Sequence, residues 1–293
     1  MNDIIEALGF DGKDRLLIIH ADDVGMCHSV NEATFSALSY EIVTCGSLMM
    51  PCPWVLEAAE LTKKYGFDAG VHVTLNSEWE HYKWPPISSD GHSTLVDEYG
   101  YLWRSVEEAV AHAVPSEVEK EVEAQVIRAF KMGIEPSHID THMGTVYAKP
   151  EFFMAYVRIA DKHRIPPMLV KPSEEMIIRA RKMGLEIESL KKAIVESHWP
   201  KLDMLMAGIP GVTLDDKRRA LRQFLRGVKG GMVVQVIVHL GLDTPELRTI
   251  MPRSYPSRVN EYKLVTDNEM RKLIEELGFQ LIGWREIKKA AMR

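Results

Sequence analysis

Leu16-Leu-Ile-Ile-His20-Ala-Asp22-Asp23-Val-Gly25 is a short apolar run that ends in two adjacent acids and a glycine. Behind it, Ser29-Val-Asn-Glu32 fits a helix capping box, so the segment reads as strand, polar loop, helix. The order then repeats. Residues 42–50 read as a strand, 54–64 as a helix stopped by Gly66, and 69–75 as a third strand. Ser116-Glu-Val-Glu119 is a second capping box, opening a helix to about Met132 ahead of Gly133, and residues 138–141 read as a short strand. Helices are expected at 151–163 and 214–228 and strands at 167–171 and 232–239; a Thr266-Asp-Asn-Glu269 box starts a last helix before a strand at 279–282. Alternating strands and helices predict an α/β fold with a parallel sheet, open or closed into a barrel. No internal repeat, low-complexity tract or Gly/Ser linker divides the chain, so one domain over residues 1–293 is expected. Two long polar stretches, 76–114 and 240–265, interrupt the alternation and read as lids or binding loops.

The 293 residues are 46% apolar and 27% charged, the make-up of a globular chain rather than a disordered or membrane one. At this length roughly three quarters of the unfolded surface is buried, so the core needs no disulfide support. Thirty-six Lys and Arg against 42 Asp and Glu give a net charge of −6, which argues against a nucleic-acid partner. Cys27, Cys45 and Cys52 form no C-x-x-C pair, which points away from a disulfide framework or thiolate zinc cage and toward a reducing compartment. The first residues carry acids where a signal peptide carries Lys or Arg, and no uncharged apolar stretch approaches roughly 18 residues. A cytoplasmic protein without membrane contact is therefore expected. The oligomeric state is not legible, and a homodimer stays open.

In parallel α/β folds the loops after the strands gather at one rim, so strand ends far apart in sequence converge. Asp22 and Asp23 end the first strand, His72 lies in the third, His138, Asp140 and His142 end the fourth, and His239 ends the late one. Taken singly, each has an ordinary structural reading. An Asp-Asp pair fits a turn, and a strand histidine fits a hydrogen-bonded core residue. Ser137-His-Ile-Asp-Thr-His-Met-Gly144 is more informative, because a period of two puts His138, Asp140 and His142 on one face. Such a face calls either for a shared divalent cation or for a closed hydrogen-bond network. With a cation, one of the two adjacent carboxylates can ligate while the other acts as a base, and His239 can supply the proton to a leaving group. Trp79, Tyr82 and Trp84 can stack on a sugar ring or anchor their loop. Arg253 and Arg258, with Glu261, can bind substrate hydroxyls or a carboxylate, or form ordinary salt bridges. Met49, Met50, Met204 and Met206 read as core filling.

With Leu16–Gly25, Ile42-Val-Thr-Cys-Gly-Ser-Leu-Met-Met50, Gly70-Val-His-Val-Thr-Leu75, Pro136-Ser-His-Ile-Asp-Thr-His142 and Val238-His239 in this order and spacing, the chain resembles the ChbG/YdjC family of carbohydrate deacetylases. The resemblance runs from near Asp14 to the C-terminus. It implies a distorted (β/α) barrel of about seven parallel strands and metal-dependent removal of an acetyl group from an N-acetylated sugar or short oligosaccharide. Carried over by position, it implies metal ligands at Asp23, His72 and His142, a general base at Asp22 and an acid at His239. His138 and Asp140 would lie behind the ligands; from the residues themselves, Trp79 and Arg258 are the candidates for a place behind the ligands or for substrate contact. The implied cofactor is a divalent ion, zinc or magnesium first, then cobalt, nickel or manganese, and the implied partner is a small carbohydrate. The chain departs from the family pattern in two ways: His20 stands where Asn is common, and Gly144 and Val146 stand where further alternating histidines are common. Hydrolysis of another amide or an ester, or a catalytically silent sugar-binding barrel, are the competing readings.

Overall fold

The quoted run becomes β1, Arg15–Val24, a ten-residue strand buried along nearly its whole length. Its continuous hydrophobic character follows from having both faces covered. The period of two sorts its side chains. Leu16 and Ile18 join an apolar cluster on the concave side of the sheet with Cys45, Val233 and Trp284, while Leu17, Ile19 and Ala21 pack outward under the helices. The concave line then continues through His20 and Asp22, so polarity rises toward the C-terminal end of the strand.

Six further strands follow in the computed structural model, which describes residues 3–88, 93–174, 177–178 and 187–292. They are β2 Cys45–Leu48, β3 Ala69–Val73, β4 Ile139–Thr141, β5 Met204–Met206, β6 Met232–Val238 and β7 Phe279–Leu281. All pairings are parallel, in the order β4-β3-β2-β1-β6-β5, with β7 paired to β1. One edge of β1 carries β6. The other carries β7 at Arg15–Leu17 and β2 from His20 to Val24. Residues 167–171, expected as a strand, make only isolated parallel bridges, Pro167 to Ile139 and Val170 to Leu202. They bring the curled sheet round between β4 and β5 with little ladder of their own. The outcome is a single-domain α/β protein built on a distorted barrel, as expected.

The misplaced boundaries have local causes. Ser29 does not cap the helix His28–Ala37, whose N-cap is Cys27; instead the Ser29 backbone N–H and hydroxyl both donate to Glu246 Oε2, at 2.8 and 2.6 Å. A carboxylate from a distant helix thus does the capping. Ser116 lies inside the helix Pro115–Lys131, which starts on Pro115 with its fixed φ. Asp267, not Thr266, caps Asn268–Glu276. Met204 and Met206 pack against the core yet also form β5. The stretches expected as loops hold helices: Val106–His112 in the first, where residues 89–92 lie outside the described set, and Pro245–Ile250 and Tyr255–Val265 in the second. Among the described residues no helix is long and apolar enough to cross a membrane.

Gly70 of β3 is required by contact. A Cβ there would lie 2.5 to 2.7 Å from three ring atoms of His138, which is itself stacked on Trp284 at 5.0 Å between centroids. Gly70→Ala is expected to lower unfolding stability by about 1–3 kcal/mol, the usual cost of overpacking a core. Exposed Gly227, with nothing within 4 Å of its Cβ position, should tolerate Ala within about 0.5 kcal/mol. Urea denaturation of the two variants checks this, and equal midpoints would show that the His138 ring yields freely.

Candidate functional site

Neighbouring residues of a regular strand point to opposite faces, which would separate Asp22 from Asp23. The backbone prevents this. Between Ala21 and Val24 the register of β1 on β2 slips, and Asp23 takes φ +64°, the left-handed region that a non-glycine residue rarely enters. This bulge turns both carboxylates toward His72 of β3: its Nε2 lies 3.8 Å from Asp22 Oδ2 and 3.3 Å from Asp23 Oδ1. The strand therefore runs through the acid pair instead of ending before a polar loop.

The expected residues do gather at the C-terminal rim, in layers. Deepest lies a buried chain in which one set of proton positions satisfies every link. Ser137 Oγ meets His138 Nδ1 at 2.9 Å, His138 Nε2 meets His20 Nε2 at 2.7 Å, and His20 Nδ1 donates to Asp22 Oδ1 at 2.6 Å. Burial and the neighbouring His20 hold His138 well below the usual histidine range, so its ring is neutral. Above this chain, His72 Nδ1 donates to Asp140 Oδ1 at 2.9 Å, and Ser47 Oγ of β2 donates to Asp140 Oδ2 at 3.0 Å. Burial alone would raise Asp140, but His72 outweighs it and keeps the carboxyl ionised. Burial alone would likewise lower His72, and Asp140 and Asp22 instead hold it well above its usual range.

At the mouth, His142 Nδ1 lies 3.1 Å from Asp23 Oδ1 and its Nε2 lies 3.0 Å from Glu78 Oε2. Burial opposes its protonation, but the Glu78 and Asp23 carboxylates push it up to about 9. Arg258 donates to Asp23 Oδ2 from the helix Tyr255–Val265. That guanidinium and the two imidazoles overcome burial and hold the Asp23 carboxyl well below the usual carboxylate range. His239 follows β6 with its side chain 34% exposed, and its Nε2 lies 4.0 Å from Asp22 Oδ2. Its backbone N–H donates to Glu261 Oε2 at 2.6 Å, and Glu261 accepts from buried Lys217 Nζ at 2.7 Å.

Three groups of donor atoms, each within 4.8 Å of one another, arise among the described residues: Asp23, His72 and His142; Asp22, His72 and Asp140; and His20, His138 and Asp140. His138, Asp140 and His142 share a face as their spacing predicts, but they do not converge on one point. The first group suits a divalent cation best. It offers two imidazoles and a carboxylate, and the outer nitrogen of each imidazole already donates to a carboxylate, Asp140 or Glu78.

The aromatic loop divides. Trp84 is fully buried and its Nε1 donates to Asn76 O at 2.8 Å, so it anchors the loop, while Trp79 is half-buried with Nε1 lacking a partner among the described residues. Arg258 and Glu261 are buried and Arg253 is exposed. The sequence reading missed Glu78, Ser47 and Lys217 as parts of the site and saw His20 only as a departure. A carboxylate in Ser77-Glu-Trp79, inside a stretch read as loop, carries no periodic signal. Lys217 sits one position past Asp216 in the helix Leu214–Gly227, among charges that read as a solvated face.

The Lys217–Glu261 pair behind His239 is buried on both sides, with 1% and 4% of the two side chains exposed. Lys217→Met strands the carboxylate, and a loss of about 3–5 kcal/mol in unfolding free energy is expected. The double variant with Glu261→Gln should recover much of it. A loss below about 1 kcal/mol in the single variant, read by denaturant titration, would show that Glu261 finds other compensation.

Residues 16–276 match the family model described as YdjC-like protein. A carbohydrate deacetylase of Thermus thermophilus is 30% identical over 289 residues, covering 98% of this chain and 99% of that protein. A chitooligosaccharide deacetylase of Yersinia enterocolitica is 25% identical, covering 92% and 97%. Among solved structures, an Enterococcus faecalis V583 protein described as a candidate for cellobiose-phosphate cleavage shares the fold, with a TM-score of 0.75 at 23% identity over 94% of this chain and 99% of that one. With the strand order, the bulged acid pair and the rim histidines in place, the match over most of its length shows that this chain belongs to the YdjC-like family.

Proposed function

We propose that this single domain is a cation-dependent hydrolase that removes the acetyl group from an N-acetylated sugar or short oligosaccharide. The observation that carries the reading is the division of labour between Asp23 and Asp22. Asp23 closes a buried group of three donor atoms with His72 and His142, while Asp22 keeps Oδ2 free of His20 and turned toward His72 and His239. The names of the relatives support the substrate class.

In this reading Asp23, His72 and His142 hold a divalent cation. Two imidazoles favour zinc, cobalt, nickel or manganese over magnesium, which prefers oxygen donors. A cation there supplies Lewis acidity, polarising the amide carbonyl and easing the deprotonation of water. The chain's own groups move the protons. Asp22 Oδ2 takes a proton from the attacking water while His20 fixes its other oxygen. The water oxygen bonds to the carbonyl carbon, the C–N bond breaks, and His239 gives its proton to the departing amine, leaving acetate. Glu261, through the backbone N–H of His239, sets where that imidazole stands. Arg258 neutralises Asp23 from behind, and half-buried Trp79, packed against the core one residue after Glu78, is the aromatic candidate for stacking on a sugar ring. The buried thiols of Cys27, Cys45 and Cys52 suit a reducing, cytoplasmic setting.

Asp22→Asn is expected to reduce acetate release from N-acetylated sugars by about 10²–10⁴-fold, the span of a lost general base, with bound metal unchanged by elemental analysis. His142→Ala should lose metal and activity together, and chelator should abolish parental activity. Metal without acetate release would overturn the substrate or bond, and an Asp22→Asn variant that binds sugar and turns over like the parent would overturn the role of Asp22.

A further inference from the structure

Both imidazoles of the candidate ligand group use their two nitrogens in the same way, one toward Asp23 Oδ1 and the other toward a second carboxylate. The two backing carboxylates differ in origin. Asp140 belongs to β4, is 1% exposed and is fixed further by Ser47. Glu78 comes from the stretch after β3, and its side chain is 17% exposed at the mouth. Among the described residues it joins none of the three groups of converging donor atoms, so it stands behind His142 instead of beside the shared point. Its place is nonetheless set by the fold. Asn76 Nδ2 donates to Ser105 O at 2.6 Å, and Ser77 Oγ accepts from Trp84 N at 3.0 Å, which ties both residues before Glu78 to backbone further along the chain.

We propose that Glu78 is a positioning residue for His142. Its carboxylate accepts from Nε2 and thereby turns Nδ1 toward Asp23 and His72, so that the affinity of the rim for a divalent cation depends on the seating of the 76–84 stretch. The proposal rests on the cation reading above. A carboxylate on the outer nitrogen fixes the ring's orientation and tautomer and raises its basicity as a ligand. Among the described residues no analogous partner reaches the Nε2 of His142 from the barrel strands, whereas His72 has Asp140. His142 follows β4 on a turn that passes through two left-handed residues, Met143 at φ +54° and Gly144 at φ +70°. A ring mounted there gains more from an external brace than one held in a strand.

The test is cobalt(II) binding to the metal-free protein, read by its visible absorption and by competition with a chelator, so that turnover does not enter. Glu78→Ala is expected to raise the cobalt dissociation constant about 10- to 100-fold, while the metal-free protein still unfolds in one cooperative thermal transition, its midpoint lowered only by the loss of the His142 ion pair. Glu78→Gln, whose amide oxygen still accepts from Nε2, should lose less. Cobalt affinity equal to the parent's in Glu78→Ala would overturn the role of Glu78 and leave the cation reading standing. A parent that binds no cobalt or zinc would overturn both.

Discussion

Two carboxylates in adjacent positions can serve one centre only if the backbone between them abandons the strand's alternation. In β1 it does so through a register slip and a left-handed aspartate, and the rest of the rim is arranged round that departure. The conformation is disfavoured for a residue with a Cβ, so it persists because its surroundings fix it. Arg258 and His142 hold the Asp23 side chain, Gly25 takes φ +90° just beyond it, and the Met26 N–H donates to Asp23 O at 3.0 Å. Without the bulge Asp23 would face the helices, and a neighbour of His72 would be lost.

Charge balance at the rim follows from the same crowding. Asp22, Asp23, Asp140, His72, His142 and Arg258 are all buried, and no ion among them is left without an opposite group. Burial would raise Asp23 and Asp140, but neighbouring cations bring them down, and burial would lower His72 and His142, but neighbouring acids bring them up, so these four stabilise one another's charged forms. Below them the balance changes to neutral hydrogen bonding. His138, stacked on Trp284, separates the ionic layer from the apolar plug, and Trp284 Nε1 donates to Gln235 Oε1 at 2.8 Å. The concave side thus grades from hydrocarbon through a neutral polar layer to ions within one barrel.

The amino-acid sequence makes some of this legible and hides the rest for identifiable reasons. The strand runs of β1, β3 and β6 stand out because a strand covered on both faces is apolar throughout. The helix Tyr255–Val265 is hard to see because Arg258 and Glu261 occupy its inward face with Leu264 and Val265, erasing the apolar period that marks a helix. The capping boxes at Ser29 and Ser116 mislead because a local motif competes with a carboxylate from elsewhere and with a proline one residue earlier. At the site, Asp22, Asp23, His72, His142 and His239 are findable because each stands at or just beyond a strand end. Glu78 and Lys217 are not, since their partners are 64 and 44 residues away and nothing periodic marks them.

The pairing of β1 has a consequence for how such a chain comes to be folded. The strand that carries Asp22 and Asp23 is made before β7, so residues 15–17 complete their edge only with residues 279–281, and the floor under His138 waits for Trp284. A nascent chain holding residues 15–240 would expose part of an apolar central strand and lack the floor of its site. Contacts of such long sequence separation are slow to form. Maturation of the rim is therefore tied to the emergence of β7 and Trp284, and until then the edge of β1 at residues 15–17 stays unpaired.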